Sequence, residues 1–197
     1  TLFPWLLAQS TRIFDVPAVF LWGTLFGMLL FAAACWYCLR MLLPAGQRYW
    51  AWLGVLCLPP LYGWTGIFSY NEPFLTPRLP AEALCLLSIG LLARRKWMPA
   101  LACAVAAGLL HPLPTVAALL VVWPWLAIQD RRWLHAAWLI FPIILLAFAG
   151  IPPFDGLFHQ LDAAWFSELN SSTRQIFLTS WNSGDYEVML LDVLALG

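Results

Sequence analysis

Six residues of this 197-residue chain pair a reactive side chain with surroundings that could use it. Glu72, Arg78 and Glu82 stand in the stretch NEPFLTPRLPAE (71–82), among prolines that stiffen the backbone. A guanidinium held there can clamp a phosphate through two parallel N–H donors. A carboxylate there can take a proton from a hydroxyl or help hold a metal. His111 follows an apolar run and precedes Pro112, where the negative end of a helix dipole favours an imidazolium. Asp15 stands three residues after Arg12 and just before Pro17, and Asp162 lies in LDAAWF (161–166). Each also has a plainer use. Arg78 can pair with Glu72 or Glu82, and Glu82 can serve as a first-turn dipole acid. Asp15 can pair locally or cap a helix, and Asp162 can sit on a solvated helix face. His135, beside Arg131 and Arg132, reads as interfacial, and His159 as solvated.

Long apolar runs separate these residues, and the charges between the runs are sorted. Seven of the ten basic residues fall in three connectors: Arg40 with Arg48, Arg94-Arg95-Lys96, and Arg131-Arg132. Nine of the ten acids fall in the other connectors or just inside the runs that follow them, with Asp130 the exception. Short loops rich in Lys and Arg stay cytoplasmic. The pattern therefore predicts a polytopic integral membrane protein with its acidic loops extracytoplasmic. Any chemistry belongs on that acidic face.

Composition agrees. The chain is 62% hydrophobic and 10% charged, against roughly a quarter charged in soluble domains. Many of its 13 Trp flank apolar runs, where interfacial anchors belong. A formal net charge of zero gives no support for nucleic-acid binding. Cys35 and Cys38 form a C-x-x-C inside an apolar run with no second pair, which reads as packing. There is no P-loop and no G-x-G-x-x-G, which argues against an ATP-driven pump. Thr1–Ser10 lacks the basic start of a signal peptide. The first residue is not Met and the last apolar run is short, so the chain reads as part of a longer one.

The expected fold is all-α: a transmembrane bundle of about six spans, with the start of a seventh. Residues 1–16 form an outer segment and 17–149 hold six membrane segments. These are 17–43, 49–68 (broken at Pro59-Pro60), 80–92, 97–110, 113–128 and 133–149. The fourth and fifth are each shorter than the ~20 residues a span usually needs. They read as two short spans meeting outside at His111, or as a re-entrant hairpin. The spans are preferred, because a hairpin would leave an ionisable His at membrane depth. Residues 150–185 form an outer segment, and 186–197 begin the next span. In the outer segment Leu157, Leu161, Trp165 and Leu169 recur every four residues, predicting an amphipathic surface helix over most of 156–169. Ser172-Thr173-Arg174-Gln175 resembles a capping box before a second helix. Asn170-Ser171-Ser172 fits a glycosylation acceptor, a tripeptide too common to weigh.

The stretch from Glu72 to Pro114, with E-P-F-L-T-P-R-L-P-A-E, R-R-K-W and H-P-L-P, resembles a group of bacterial polytopic membrane proteins similar to the GT-C glycosyltransferase superfamily. The later run LDAAWFSELNSSTRQIFLTSW resembles the outer segment of the same group. The resemblance implies transfer of a sugar from a polyprenyl-phosphate donor at the extracytoplasmic face. It also implies a catalytic acid in the first outer segment, where Asp15 is the acid present. In this reading Asp15, Glu72 or Asp162 acts as the base, Arg78 and His111 hold the donor phosphate, and a divalent cation is a possible cofactor. Two other readings stand beside it. One is a non-catalytic subunit packed among membrane lipids and against a larger complex. The other is a transporter or flippase-like protein.

Overall fold

The computed structural model describes residues 1–57, 61–62, 68–69, 74–151, 162–172, 182–184, 186, 187 and 190. The chain divides into two units, Thr1–Pro60 with Tyr70–Ala137, and Leu61–Ser69 with Trp138–Gly197.

The first unit is a helical bundle. Its helices are α1 (Phe3–Ile13), α2 (Val16–Leu42), α3 (Ala45–Cys57), α4 (Arg78–Ala93), α5 (Trp97–Leu110) and α6 (Pro112–Gln129). Prolines stand at the first or second position of α1, α2 and α6, where a missing N–H costs nothing. The α2 and α6 helices, and the continuous segment Arg131–Phe148, are long and apolar enough to cross a membrane. The chain is thus a helical membrane protein. The other helices, α3, α4 and α5, have 13, 16 and 14 residues, below the ~20 usual for a full span.

The packing fixes their directions. Trp36 stacks on Tyr49 and meets Trp52 edge-on, and the Trp52 indole donates to the Ala32 carbonyl at 2.9 Å, so α3 runs back along α2. A Cβ added to Gly23 or Gly27 would come within 2.9 Å of Leu75 or Leu79. One added to Gly90 would meet the Tyr37 ring at 2.9 Å and the Cys38 Cα at 3.1 Å. So α2 and α4 run parallel, their contact rising together along both helices. Small residues permit this close approach. Gly23 and Gly27 are a G-x-x-x-G pair, and the chain's own Leu75 and Leu79 fill its groove. Ala81, Cys85, Ala107 and Ala118 cluster at one level, and Leu92, Ala100, Val122 and Leu126 at another. Hence α5 is antiparallel to α4, and α6 is parallel to it. The α5–α6 pair reaches both levels of α4 rather than folding back half-way.

One level collects the basic connectors. Arg94 meets Met41 at the end of α2, and the Arg48 guanidinium donates to the Leu43 carbonyl at 2.8 Å. Trp97 and Trp133 meet edge-on, and the Trp123 indole donates to the Trp133 carbonyl. The α4–α5 corner closes with N–H groups of Arg95 and Lys96 bonded to the Leu92 and Leu91 carbonyls, the pattern that usually carries Gly at its left-handed residue. Here Arg95 takes that position at φ 60°. Charge at this corner has taken precedence over backbone ease.

Several boundaries differ from expectation. The span expected over 49–68 is helical only through Cys57 as far as described. Leu61 and Tyr62 instead pair antiparallel with Ser69 and Phe68. Pro59-Pro60 removes two successive donors and accounts for the change of conformation. The expected outer segment 1–16 contains a full helix, α1. The stretch expected as loop up to Leu79 is already helical from Arg78, so Glu82 lies beyond the first turn and is not the dipole acid anticipated.

The 3-10 helix Arg131–Leu139 begins in the first unit and leads into α7 (Ile140–Phe148) of the second, which ends on Gly150 at φ 68°. Farther along, α8 covers Ala163–Ser172. It overlaps the end of the range where a surface helix was expected, 156–169. The first half of that range, with Leu157 and Leu161, lies outside the described residues. Trp165 is exposed and Leu169 half-buried. Ser172 is the last residue of α8, and the second helix expected after Ser172-Thr173-Arg174-Gln175 lies outside the described residues. Most of 186–197 also lies outside the described residues.

Candidate functional site

The end of the first unit opposite the basic connectors holds most of the candidates. Antiparallel and parallel packing bring together the start of α2, the start of α4 and the α5–α6 corner. A backbone bond from Leu2 N–H to the Leu109 carbonyl, 2.8 Å, ties α1 to the same end.

Asp15 is the N-cap residue of α2, in extended conformation, and its carboxylate makes no capping hydrogen bond. It is exposed. The anticipated partner, Arg12, donates instead to the Gln9 amide oxygen at 3.2 Å. An uncapped carboxylate at a helix N-terminus keeps the favourable dipole and leaves its oxygens available.

Arg78 opens α4, and Glu82 follows one turn later on the same face. Both are half-buried. Glu72 lies outside the described residues. His111 serves two helices. It ends α5 and is the N-cap residue of α6, where its Nδ1 accepts the Leu113 N–H at 3.3 Å. In that bond Nδ1 is the acceptor. Thr115 holds the corner by donating to the His111 carbonyl at 3.1 Å, and the Cys85 thiol lies within hydrogen-bond reach of Thr115. That link, from α4 through α6 to His111, has no signal in the sequence beyond small polar residues at apolar positions.

Asp162 belongs to the second unit and is described by itself. Its carboxylate accepts the Trp165 N–H at 2.8 Å, and its carbonyl accepts the Phe166 N–H. It is the N-cap of α8 rather than a residue on the helix face, a role that Asp performs well.

A cavity of about 450 Å³ lies between α1, the first half of α2 and residues 75–80, a size usual for a small-molecule site. Phe3, Leu7, Phe14, Trp22, Leu79 and Leu110 are among its walls. Two of its hydroxyls bond within their own helices: Ser10 donates to the Leu6 carbonyl and Thr24 to the Phe20 carbonyl. Arg78 and His111, expected to share an outer cavity, adjoin its wall residues in sequence without lining it. The cavity depends on α1, and the sequence marked 1–16 only as an outer segment.

Among the described residues no group of three or more His, Cys, Asp or Glu could hold a metal. No family model, no curated protein and no solved structure matches the chain.

Proposed function

We propose that this protein is a GT-C-like membrane glycosyltransferase that takes a sugar from a polyprenyl-phosphate donor at the extracytoplasmic face. The carrying observation is the gathering of Asp15, Arg78, Glu82 and His111 at one end of a bundle whose other end collects the basic connectors. Under the rule that basic loops stay cytoplasmic, that end faces outward. The proposal includes six crossings with a seventh beginning near residue 186, and a bacterial inner membrane.

Breaking the bond between sugar and lipid phosphate leaves negative charge on the phosphate, so a fixed cation at the interface lowers the barrier. Arg78 supplies it, and the His111 ring at the same end adds a donor. The acceptor hydroxyl loses its proton to a carboxylate, Asp15 at the same end or Glu72, the other candidate from the sequence. Asp162 is the weaker candidate, because capping α8 already engages it.

A bundle built for transport needs a polar path through its middle. Among the described residues the buried polar side chains are Ser88 and Thr115. Each donates to a backbone carbonyl, at 2.8 Å and 3.1 Å. This favours the enzyme over the transporter.

The test is transfer in proteoliposomes supplied with polyprenyl-phosphate sugars. Arg78→Ala should lower kcat by about 10²-fold or more, as removal of other transition-state charge stabilisers does. Arg78→Lys should restore part of it, lacking the bidentate fork. Full activity in Arg78→Ala that inserts normally would sink the proposal.

A further inference from the structure

We propose that the basic connectors 94–97 and 130–133, fastened together by their tryptophans, form one binding site for the headgroup of an anionic bilayer phospholipid. Both belong to the first unit, at the end opposite the candidate catalytic residues. The proposal does not depend on the transferase reading.

Three observations carry it. First, the connectors are joined. The Trp97 and Trp133 rings meet edge-on with centroids 5.6 Å apart, and the Trp123 indole donates to the Trp133 carbonyl at 2.8 Å. Orientation in a membrane requires basic residues in each loop. It does not require two loops to be fastened to each other. Second, the joined surface is more cationic than internal pairing can neutralise. It carries Arg94, Arg95, Lys96, Arg131 and Arg132 against one acid, Asp130. All six are exposed. Asp130 places a carboxylate oxygen on the Arg132 backbone N–H at 2.9 Å, and Arg94 meets Met41. Arg95 keeps its charge at φ 60°, in a position that glycine fills more easily. Third, the tryptophans set the depth. Trp97 opens α5, and Trp123 lies near the end of α6, a helix long and apolar enough to cross a membrane. Both rings are partly exposed, as at the level of the headgroups. The cations beside them therefore stand among lipid phosphates.

That placement selects the occupant. A guanidinium takes a phosphate through paired N–H donors. A headgroup with net negative charge gains from the whole cluster. A zwitterionic headgroup brings its own cation and gains little.

Native mass spectrometry of the full chain in a nonionic detergent reads the preference, with phosphatidylglycerol and phosphatidylethanolamine of matched chains as probes. Phosphatidylglycerol should bind several-fold more tightly, and the difference should shrink as ionic strength rises. Arg131→Gln combined with Arg132→Gln should weaken its binding by about 5-fold or more, the scale of one cation at an anionic surface. Arg12→Gln, at the other end of the bundle, should leave it unchanged. Loss of connector charge can also disturb insertion, so a second variant keeps every charge. Trp133→Leu removes the ring contact and should lower the preference several-fold. An unchanged preference in Trp133→Leu would mean that separate basic loops suffice, and would overturn the joined site. Equal binding of the two lipids by the wild-type chain would overturn it as well. So would displacement of phosphatidylglycerol by excess inorganic phosphate at constant ionic strength, which would assign the cations to a soluble phosphate.

Discussion

Replacing Gly90 with alanine tests whether α2 and α4 meet backbone to backbone. The new Cβ would stand 2.9 Å and 3.0 Å from two Tyr37 ring carbons and 3.1 Å from the Cys38 Cα. A small rotation of Tyr37 relieves the ring contacts. The Cα cannot yield unless the helices part, and they share the most extensive contact in the chain, with α4 and α5 close behind. Overpacking of this kind costs about 1–3 kcal/mol. Alanine also returns about 1 kcal/mol of helix propensity. The expected net is a loss of about 1 kcal/mol, with a range that reaches zero, so a control is needed. Gly54, inside α3, has nothing within 4 Å of an added Cβ. Gly54→Ala should therefore gain about 1 kcal/mol. The difference between the two variants removes propensity and isolates packing, at about 1–3 kcal/mol. Reversible unfolding in mixed micelles, titrated with a denaturing detergent and followed by circular dichroism, measures it. Equal stabilisation by both substitutions would refute the close approach and the parallel α2–α4 arrangement built on it.

Ser88→Ala should cost about 1 kcal/mol in the same assay, because it deletes a fully buried hydroxyl bonded to the Ala100 carbonyl at 2.8 Å; an unchanged midpoint would argue against α4–α5 contact at that level. Arg95→Gly should stabilise by up to about 1 kcal/mol, since it relieves a left-handed arginine; destabilisation would mean the positive φ is not adopted. Cysteines placed near Arg95 and Arg131 should resist an impermeant thiol reagent added outside intact cells, while cysteines near Asn71 and Ser171 react. Reaction at the 94–96 connector would reverse the proposed orientation.

Much of the helical order is legible in the sequence because lipid simplifies it. The run Trp97–Leu110 matches α5 residue for residue, and Val16–Leu42 differs from the expected 17–43 by one residue at each end. Apolar length and flanking charge determine such elements almost alone. Local competition is harder to read. Pro73 and Pro77 suggested a loop to Leu79 with Pro80 opening the helix, yet α4 begins at Arg78, because a proline in the first turn loses no hydrogen bond. The double role of His111 depends on two helices meeting at one residue, and its ring bond to Leu113 follows from backbone angles no composition encodes. The α1 helix went unnoticed because short helices take their stability from what they pack on, and one of its ties, to Leu109, lies far off in sequence.

The filled groove at Gly23 and Gly27 has a consequence for assembly. A G-x-x-x-G pair in an apolar helix is commonly read as a face where two copies of a span cross and dimerise. In this chain Leu75 and Leu79 already occupy that surface from within the same molecule. A second copy could seat there only by expelling them, exposing Leu79, now 2% accessible. If this protein self-associates, it must use another face, and substitutions at Gly23 or Gly27 should report on folding of the single chain rather than on its oligomeric state.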